Sequence, residues 1–144
     1  MPNRTTPDSA PEDLGLHPAN ESPFKGKTGL RRVWNALGYS LDGLRAAYAC
    51  EDAFRQEIRL AALLIPTALA LPVPWLGKGL LIGSVLLVLM VELLNSAVEA
   101  VVDRVSLENH RLAKRAKDIG SAAVLVSLLN VLAIWTCTLL EYLA

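Results

Sequence analysis

Residues 79–102 read GLLIGSVLLVLMVELLNSAVEAVV. The segment is long enough to cross the hydrocarbon core of a bilayer, which takes about 20 predominantly apolar residues. Its only charged residues are Glu92 and Glu99. Ionisable side chains are costly inside a membrane and usually mark a functional site. The stretch therefore predicts a membrane helix and, on it, the place where chemistry occurs.

Two further apolar segments flank this one. Residues 60–77 contain no charge, and residues 119–140 are also free of charge. Arg59 is close enough to the end of the first segment for its guanidinium to reach the interface. We predict transmembrane helices over about 55–75, 79–102 and 119–141. A soluble bundle of very apolar helices is the alternative, and three consecutive segments of this length and purity disfavour it.

The region before the first span has a different pattern. Between 29 and 52, apolar residues such as Leu30, Val33, Leu37 and Leu41 recur at steps of three and four, with basic and polar residues between them. This spacing predicts an amphipathic helix at the membrane surface. Residues 1–28 are rich in Pro, Asn, Asp and Ser and are predicted to form a disordered cytoplasmic tail. The expected fold class is an all-α integral membrane protein with an N-terminal amphipathic surface helix and three transmembrane helices.

Composition excludes some classes of function. Hydrophobic residues make up 53% of the chain, charged residues only 19%, and the formal net charge is zero. A balanced charge leaves no basic surface for a nucleic acid partner. The two cysteines are too few for a disulfide framework and form no metal-binding spacing.

Basic residues predict the orientation in the membrane, because they are retained on the cytoplasmic side. They are frequent before the first span and between the second and third, whereas Lys78 alone lies between the first two and none follows the third. We therefore expect a cytoplasmic N-terminus and an external C-terminus. The cytoplasmic set comprises Lys25, Lys27, Arg31, Arg32, Arg45, Arg55, Arg59, Arg104, Arg111, Lys114, Arg115 and Lys117.

One face of the second span is polar and acidic. At about 100° per residue, Glu92, Asn95, Ser96, Glu99 and Asp103 lie within roughly 60° of a common direction. Asn95 and Ser96 alone could serve to join helices through hydrogen bonds. Three carboxylates on one stripe favour a functional site instead. The deeper Glu92 suits a general base, and Glu99, nearer to water, suits a hard cation such as Mg²⁺.

The loop over residues 108–118 places basic side chains directly beside this stripe. Carboxylates that hold a metal, next to cations that hold phosphate, are what phosphoryl transfer requires. Gly26-Lys27-Thr28 looks like the end of a phosphate-binding loop, but Glu21 stands where the first glycine belongs. If the protein binds ATP, it does so without a soluble kinase fold.

The motifs resemble the prokaryotic diacylglycerol kinases. The resemblance covers the chain from about Gly29 to its end and is strongest over two runs, from Glu92 to Arg104 and from Arg115 to Val124. Ala53-Phe54-Arg55-Gln56-Glu57 and the stretch from Gly38 to Ala47 add to it. The resemblance implies a homotrimer with shared active sites at the cytoplasmic face of the bacterial inner membrane. It also implies transfer of the γ-phosphate of ATP, with Mg²⁺, to the free hydroxyl of diacylglycerol.

The resemblance also implies roles for individual residues. Glu92 would be the catalytic base, and Glu51 and Glu99 would hold the metal. Asn95 and Asp103 would support the site. The ATP-binding set would be Arg32, Tyr39, Glu51, Glu99, Glu108, Asn109, His110, Lys117 and Asp118. The lipid-binding set would be Arg32, Ser40, Arg45, Glu92 and Ser121.

Some positions depart from the family pattern. Leu41 and Tyr48 stand where a close relative carries tryptophan, and Asn109 stands where it carries tyrosine. Two other functions stay open at this point. An undecaprenol kinase of the same architecture would share the motifs around Glu92 and Lys117. A non-enzymatic trimer conducting protons or ions would use Glu92 and Glu99 but would not need the basic loop.

Overall fold

The computed structural model describes residues 30–105 and 111–143. This part of the chain forms four α-helices and no strand: α1 Leu30–Cys50, α2 Asp52–Ala70, α3 Trp75–Val105 and α4 Arg111–Leu143. The prediction of an all-α fold is confirmed for these residues. The tail predicted over 1–28 lies outside the described residues.

The chain divides into two compact units, Met1–Tyr39 and Ser40–Ala144. The described part of the first unit is the beginning of α1, where Val33, Trp34 and Leu37 are exposed. The second unit contains the rest of α1 together with α2, α3 and α4. An exposed row of apolar side chains on a helix is what a position in the lipid interface requires.

Two helices are long and apolar enough to cross a membrane. They are α3, with 31 residues, and α4, with 33 residues, each reaching a mean hydropathy of 2.2. The start of α2 carries Arg55, Glu57 and Arg59, so this helix does not meet the same criterion. The structure supports a membrane protein, and the third crossing stays a prediction.

The central helix of the second unit is α3, which packs against both α2 and α4. Its buried side chains include Leu81, Val85 and Val88. Ala68 of α2 and Val73 of the following turn join Leu81 in one apolar cluster, against which Trp135 of α4 packs. Most of the remaining apolar side chains are exposed, as expected for helices whose outer faces meet lipid.

The connection from α2 to α3 is fixed by a lysine. Lys78 Nζ donates a 2.6 Å hydrogen bond to the carbonyl oxygen of Leu69, in the last turn of α2. The same ammonium lies 5.2 Å from the centre of the Trp75 ring. A cation near the C-terminal carbonyls complements the helix dipole, so Lys78 holds the end of α2 against the start of α3.

The connection from α1 to α2 is fixed by an arginine. Arg55 donates hydrogen bonds of 2.9 and 3.0 Å to the carbonyl oxygens of Tyr48 and Ala49, in the last turn of α1. Its other terminal nitrogen pairs with Asp52. These contacts involve residues on both sides of Glu51, which separates the two helices in the sequence.

Candidate active site

Glu92 is the most deeply placed carboxylate of the acidic stripe, with only 3% of the residue exposed. It follows Leu81, Val85 and Val88 along the buried face of α3, at helical spacing. Its carboxylate interacts electrostatically with that of Glu99, one helical repeat further on, and with that of Glu51. The sequence therefore predicts correctly that Glu92 and Glu99 share a face.

Glu57 on α2 adds a fourth carboxylate to those of Glu51, Glu92 and Glu99, and we call these four residues the acidic cluster. Glu57 is 9% exposed, its Oε2 has no hydrogen-bond partner among the described residues, and it interacts electrostatically with Glu92. It lies on the face of α2 that also buries Phe54, Ala61 and Ala68. The sequence analysis missed Glu57 as a site residue. The available signal was its spacing of three and four from Phe54 and Ala61.

Glu51 is placed by the joint between α1 and α2. Its backbone is extended, with φ −108° and ψ 115°, and it is the N-cap residue of α2. The carboxylate makes no capping hydrogen bond. It lines a groove instead, where it can interact with Glu92 and with a ligand. Sequence alone did not distinguish Glu51 from an exposed surface glutamate.

An open groove of about 630 Å³ lies between the second half of α1 and α3. Its walls are mostly small or apolar, with Ser40, Glu51 and Ser96 as the oxygen-bearing side chains. The hydroxyl oxygen of Ser96 is buried and has no hydrogen-bond partner among the described residues. The complete lining is Ser40, Gly43, Leu44, Ala46, Ala47, Cys50, Glu51, Leu93, Ser96, Ala97 and Ala100. A groove of this composition can take an apolar molecule with one polar end.

Glu99 is held by a neighbour on its own helix. Asn95 Nδ2 donates a 3.1 Å hydrogen bond to Glu99 Oε1, one turn away on α3. This contact restricts the carboxylate to the side of α3 that carries Glu92. Glu99 and Asn95 are both half-buried, so this end of the site is more open than the position of Glu92.

Lys117 at the start of α4 completes the cluster. Its Nζ lies 2.6 Å from Asp103 Oδ1 near the end of α3 and within electrostatic range of Glu99. The hydrogen bond to Asp103 raises the pKa of Lys117 above its ordinary value, and the nearby carboxylates act in the same direction. Lys117 therefore stays a cation at neutral pH. Asp118 is exposed and accepts a 2.7 Å hydrogen bond at Oδ2 from Lys114 Nζ, one turn earlier on α4.

The other predicted residues are distributed as follows. Arg32 and Tyr39 are exposed on the part of α1 that belongs to the first unit. Arg45 is exposed and pairs with Asp42 at 3.0 Å, and Ser121 is exposed on α4. Glu108, Asn109 and His110 lie outside the described residues. The structure thus brings together Glu51, Glu92, Asn95, Glu99, Asp103 and Lys117 from the predicted set.

The acidic cluster supplies some of the oxygen ligands that a divalent cation requires. Within residues 30–105 and 111–143 no three Asp, Glu, His or Cys side chains converge as a complete set of metal ligands. Mg²⁺ keeps several waters and is commonly bound through one or two carboxylates together with substrate phosphates. Glu51 and Glu99 both approach Glu92 and leave oxygens available, so the residues present fit a metal that arrives with a nucleotide.

Helices apolar enough to span a membrane, combined with an acidic cluster that ends in an ion-paired lysine, define a membrane-embedded phosphotransferase. The family model for prokaryotic diacylglycerol kinase matches residues 38–139. The chain therefore belongs to the prokaryotic diacylglycerol kinase family, and the prediction of an enzyme of this class is confirmed.

Individual relatives agree with this assignment. The chain is 56% identical over 119 residues to a diacylglycerol kinase of Pseudomonas aeruginosa, a match that covers 83% of this chain and 97% of the relative. It is 51% identical over 113 residues to the diacylglycerol kinase of Escherichia coli, covering 78% and 92%. A Helicobacter pylori diacylglycerol kinase is 46% identical over 115 residues, covering 80% and 89%.

Proposed function

We propose that this protein transfers the γ-phosphate of ATP to the free hydroxyl of diacylglycerol at the cytoplasmic face of the inner membrane, giving phosphatidate and ADP. The observation that carries the proposal is that buried Glu92 connects two features of α3. Its neighbours Leu93 and Ser96 line the groove, and its carboxylate interacts with Glu99, which lies within electrostatic range of Lys117. A reaction between a membrane lipid and a water-soluble donor needs such a junction.

Glu92 is proposed as the general base. The lipid hydroxyl enters beside α3, and Glu92 accepts its proton while the hydroxyl oxygen forms a bond to the γ-phosphorus. The bond from that phosphorus to the β–γ bridging oxygen breaks, and ADP leaves with the electron pair. Burial of Glu92 in a helix excludes bulk water, which would otherwise compete as the phosphate acceptor.

Glu51 and Glu99 are proposed to hold Mg²⁺ against the nucleotide phosphates. When bound, the ion supplies neutralisation of the negative charge that builds up on the transferred group. The protein contributes the orientation of the two carboxylates. Asn95 fixes Glu99 through the hydrogen bond already described, and the Arg55 contacts fix the backbone around Glu51.

Lys117 is proposed to bind the ATP phosphates, with Asp103 holding its ammonium in place. Further nucleotide contacts are assigned from the family resemblance alone to Arg32, Tyr39, Glu108, Asn109, His110 and Asp118. Contacts with the lipid are assigned in the same way to Arg32, Ser40, Arg45 and Ser121. Support for the lipid set comes from Ser40, which lines the groove beside Glu51.

The membrane arrangement is also a proposal. The N-terminus and the segment between α3 and α4 are placed in the cytoplasm and the C-terminus outside, because basic residues concentrate in the first two regions. A homotrimer with shared active sites follows from the family resemblance. Its support in this chain is the large exposed apolar area of α3 and α4, which neighbouring subunits and lipid can both cover.

The test is transfer of label from γ-³²P-ATP by the purified protein in mixed micelles. Diacylglycerol and undecaprenol are offered separately, with Mg²⁺ present and then chelated. Label in phosphatidate that requires the metal supports the proposal. Label only in undecaprenyl phosphate assigns the protein to the sister activity, and label in neither lipid rejects the kinase function.

A further inference from the structure

Gly120 on α4 lies directly against Asn95 on α3. A Cβ atom added at Gly120 would overlap Asn95 Oδ1 and crowd the carbon that bears it. The contact is specific to this glycine. On the apolar half of α3, a Cβ added at Gly79 or Gly83 would meet no neighbouring atom, and one added at Gly77 would meet Val73 and Thr138 only at ordinary van der Waals distance. The absence of a side chain at Gly120 therefore makes room for the side-chain amide of Asn95.

This fit determines which way the Asn95 amide faces. Asn95 Oδ1 is buried and has no conventional hydrogen-bond partner among the described residues. The hydrogen that glycine carries in the Cβ direction points at this oxygen, as in the weak C–H···O contacts between closely packed helices. With Oδ1 directed at α4, Nδ2 is directed along α3 to Glu99 Oε1, at 3.1 Å.

We propose that Gly120 is a positioning residue for the phosphoryl transfer site, and that it acts on Glu99 through Asn95. An alanine at this position would either separate α4 from α3 or rotate the Asn95 side chain. Rotation withdraws Nδ2 from Glu99, and separation removes the contact that keeps Oδ1 directed at α4, so in either case the Glu99 carboxylate loses its fixed orientation. The proposal rests on the proposed function, in which Glu99 holds the metal.

Packing alone would give a different behaviour. Small residues are common where membrane helices approach closely, and a glycine used only for packing affects stability without a preference for any one neighbour. A positioning role requires that the damage caused by Gly120→Ala pass through Asn95. Two measurements separate these cases, and one of them does not depend on catalysis.

The first measurement follows the Asn95 side-chain amide by ¹⁵N NMR in micelles, with its resonances assigned by their loss in Asn95→Ala. Gly120→Ala and Glu99→Gln are both expected to shift this amide pair, because each disrupts one end of its contacts. Gly83→Ala is the matched control and is expected to leave the pair in place. An amide unaffected by Gly120→Ala overturns the proposal, whether or not the protein moves phosphate.

The second measurement is a double-mutant cycle on kcat/KM at varied free Mg²⁺. Gly120→Ala alone is expected to lower kcat/KM on the order of tenfold and to raise the Mg²⁺ concentration for half-maximal rate. In the Asn95→Ala background the same change should cost less than about twofold, because the amide it displaces is already absent. Equal losses in both backgrounds would show a packing role and reject the inference.

Folding is monitored by far-UV circular dichroism and thermal unfolding in the same micelles. If Gly120→Ala alone fails to fold, the inference predicts that adding Asn95→Ala restores folding, since the overlap is then removed. A double variant that also fails to fold contradicts it. Wild-type protein that transfers no phosphate rejects the proposed function separately, and the amide measurement still decides the Gly120–Asn95 link.

Discussion

At the scale of single residues, the strongest prediction concerns Glu92. Glu92→Gln keeps the shape of the side chain but removes the group that accepts the lipid proton. A general base contributes about 10²- to 10⁴-fold, so we expect kcat to fall by at least about two orders of magnitude with the fold retained. Glu141→Gln is the control, because Glu141 lies near the C-terminal end of α4, whereas Lys117 of the candidate site lies near its N-terminal end. Transfer at the wild-type rate by folded Glu92→Gln would remove this residue as the base.

Substitution of Lys117 can distinguish a lysine that binds phosphate from a basic residue that only contributes positive charge to the cytoplasmic side. Lys117→Met is expected to raise the KM for ATP by about tenfold or more, because a charge-assisted contact with phosphate is lost. Arg115→Met removes an equal charge from the same helix, but Arg115 is exposed and is not among the proposed nucleotide contacts, so the KM should change by less than about twofold. Equal effects of the two substitutions would argue against a phosphate contact at Lys117.

The Lys117–Asp103 contact also predicts a pH dependence. The pKa of Lys117 is raised above its ordinary value of 10.5, chiefly by the hydrogen bond to Asp103. The ionisation of Lys117 therefore contributes its full stabilisation while the pH is below the ordinary value of 10.5, and loses it as the pH rises through the higher pKa of the folded state. The KM for ATP should therefore show no ionisation of Lys117 between about pH 6 and 9. A break in that interval that is absent in Lys117→Arg would contradict this assignment.

Residue-scale prediction succeeded where one helix carried the pattern. Glu92 and Glu99 share a face because both lie on α3, and helical periodicity is enough to show this. Glu57 was missed because its significance comes from α2 packing against α3, a relation that spacing within one helix does not reveal. The metal role proposed for Glu51 has the same limit, since the placement of this residue depends on a break between two helices.

At the scale of helices, the joint between α1 and α2 gives a further prediction. Arg55→Met removes both hydrogen bonds to the last turn of α1 and the pair with Asp52. We expect a loss of about 1–3 kcal/mol in the free energy of unfolding, together with a higher Mg²⁺ requirement because Glu51 is no longer fixed. Arg59→Met, one turn further along α2, is the control and should change neither quantity appreciably. A stable Arg55→Met enzyme with an unchanged Mg²⁺ response would show that Glu51 needs no such support.

Helix bounds were predictable where hydrophobicity defines them and less so where other contacts do. The apolar runs predict helices at 79–102 and 119–141, whereas α3 and α4 begin earlier, at Trp75 and Arg111. The added turns of α4 are polar and carry Lys114 and Lys117, so no apolar pattern marks them. Because residues 111–118 are helical, Lys117 lies beside Asp103. The prediction of a loop over residues 108–118 did not include this ion pair.

At the scale of the whole molecule, the decisive question is whether α2 crosses the membrane. At 1.5 Å per residue its 19 residues extend over about 28 Å, close to the roughly 30 Å of hydrocarbon. Arg55 and Arg59 must then lie in or reach the headgroup region, while Glu57 faces the protein interior beside Glu92. The run from Leu60 to Ala70 supplies the uncharged part of the crossing, and the uncharged residues 71–77 form the following turn and the start of α3.

The number of crossings decides the side on which the chain ends. Three crossings place the C-terminus opposite the N-terminus, whereas crossings by α3 and α4 alone return it to the same side. We expect alkaline phosphatase fused after Ala144 to be active in bacterial cells, and the same reporter fused within the segment between α3 and α4 to be inactive. The proposed cytoplasmic placement of both the N-terminal region and that segment requires two crossings between them, α2 and α3. The third crossing, α4, then gives the odd number of spans that an external C-terminus requires. Inactive reporter at Ala144, with an intact fusion protein in the membrane, would leave α2 at the surface and place the acidic cluster outside the hydrocarbon core.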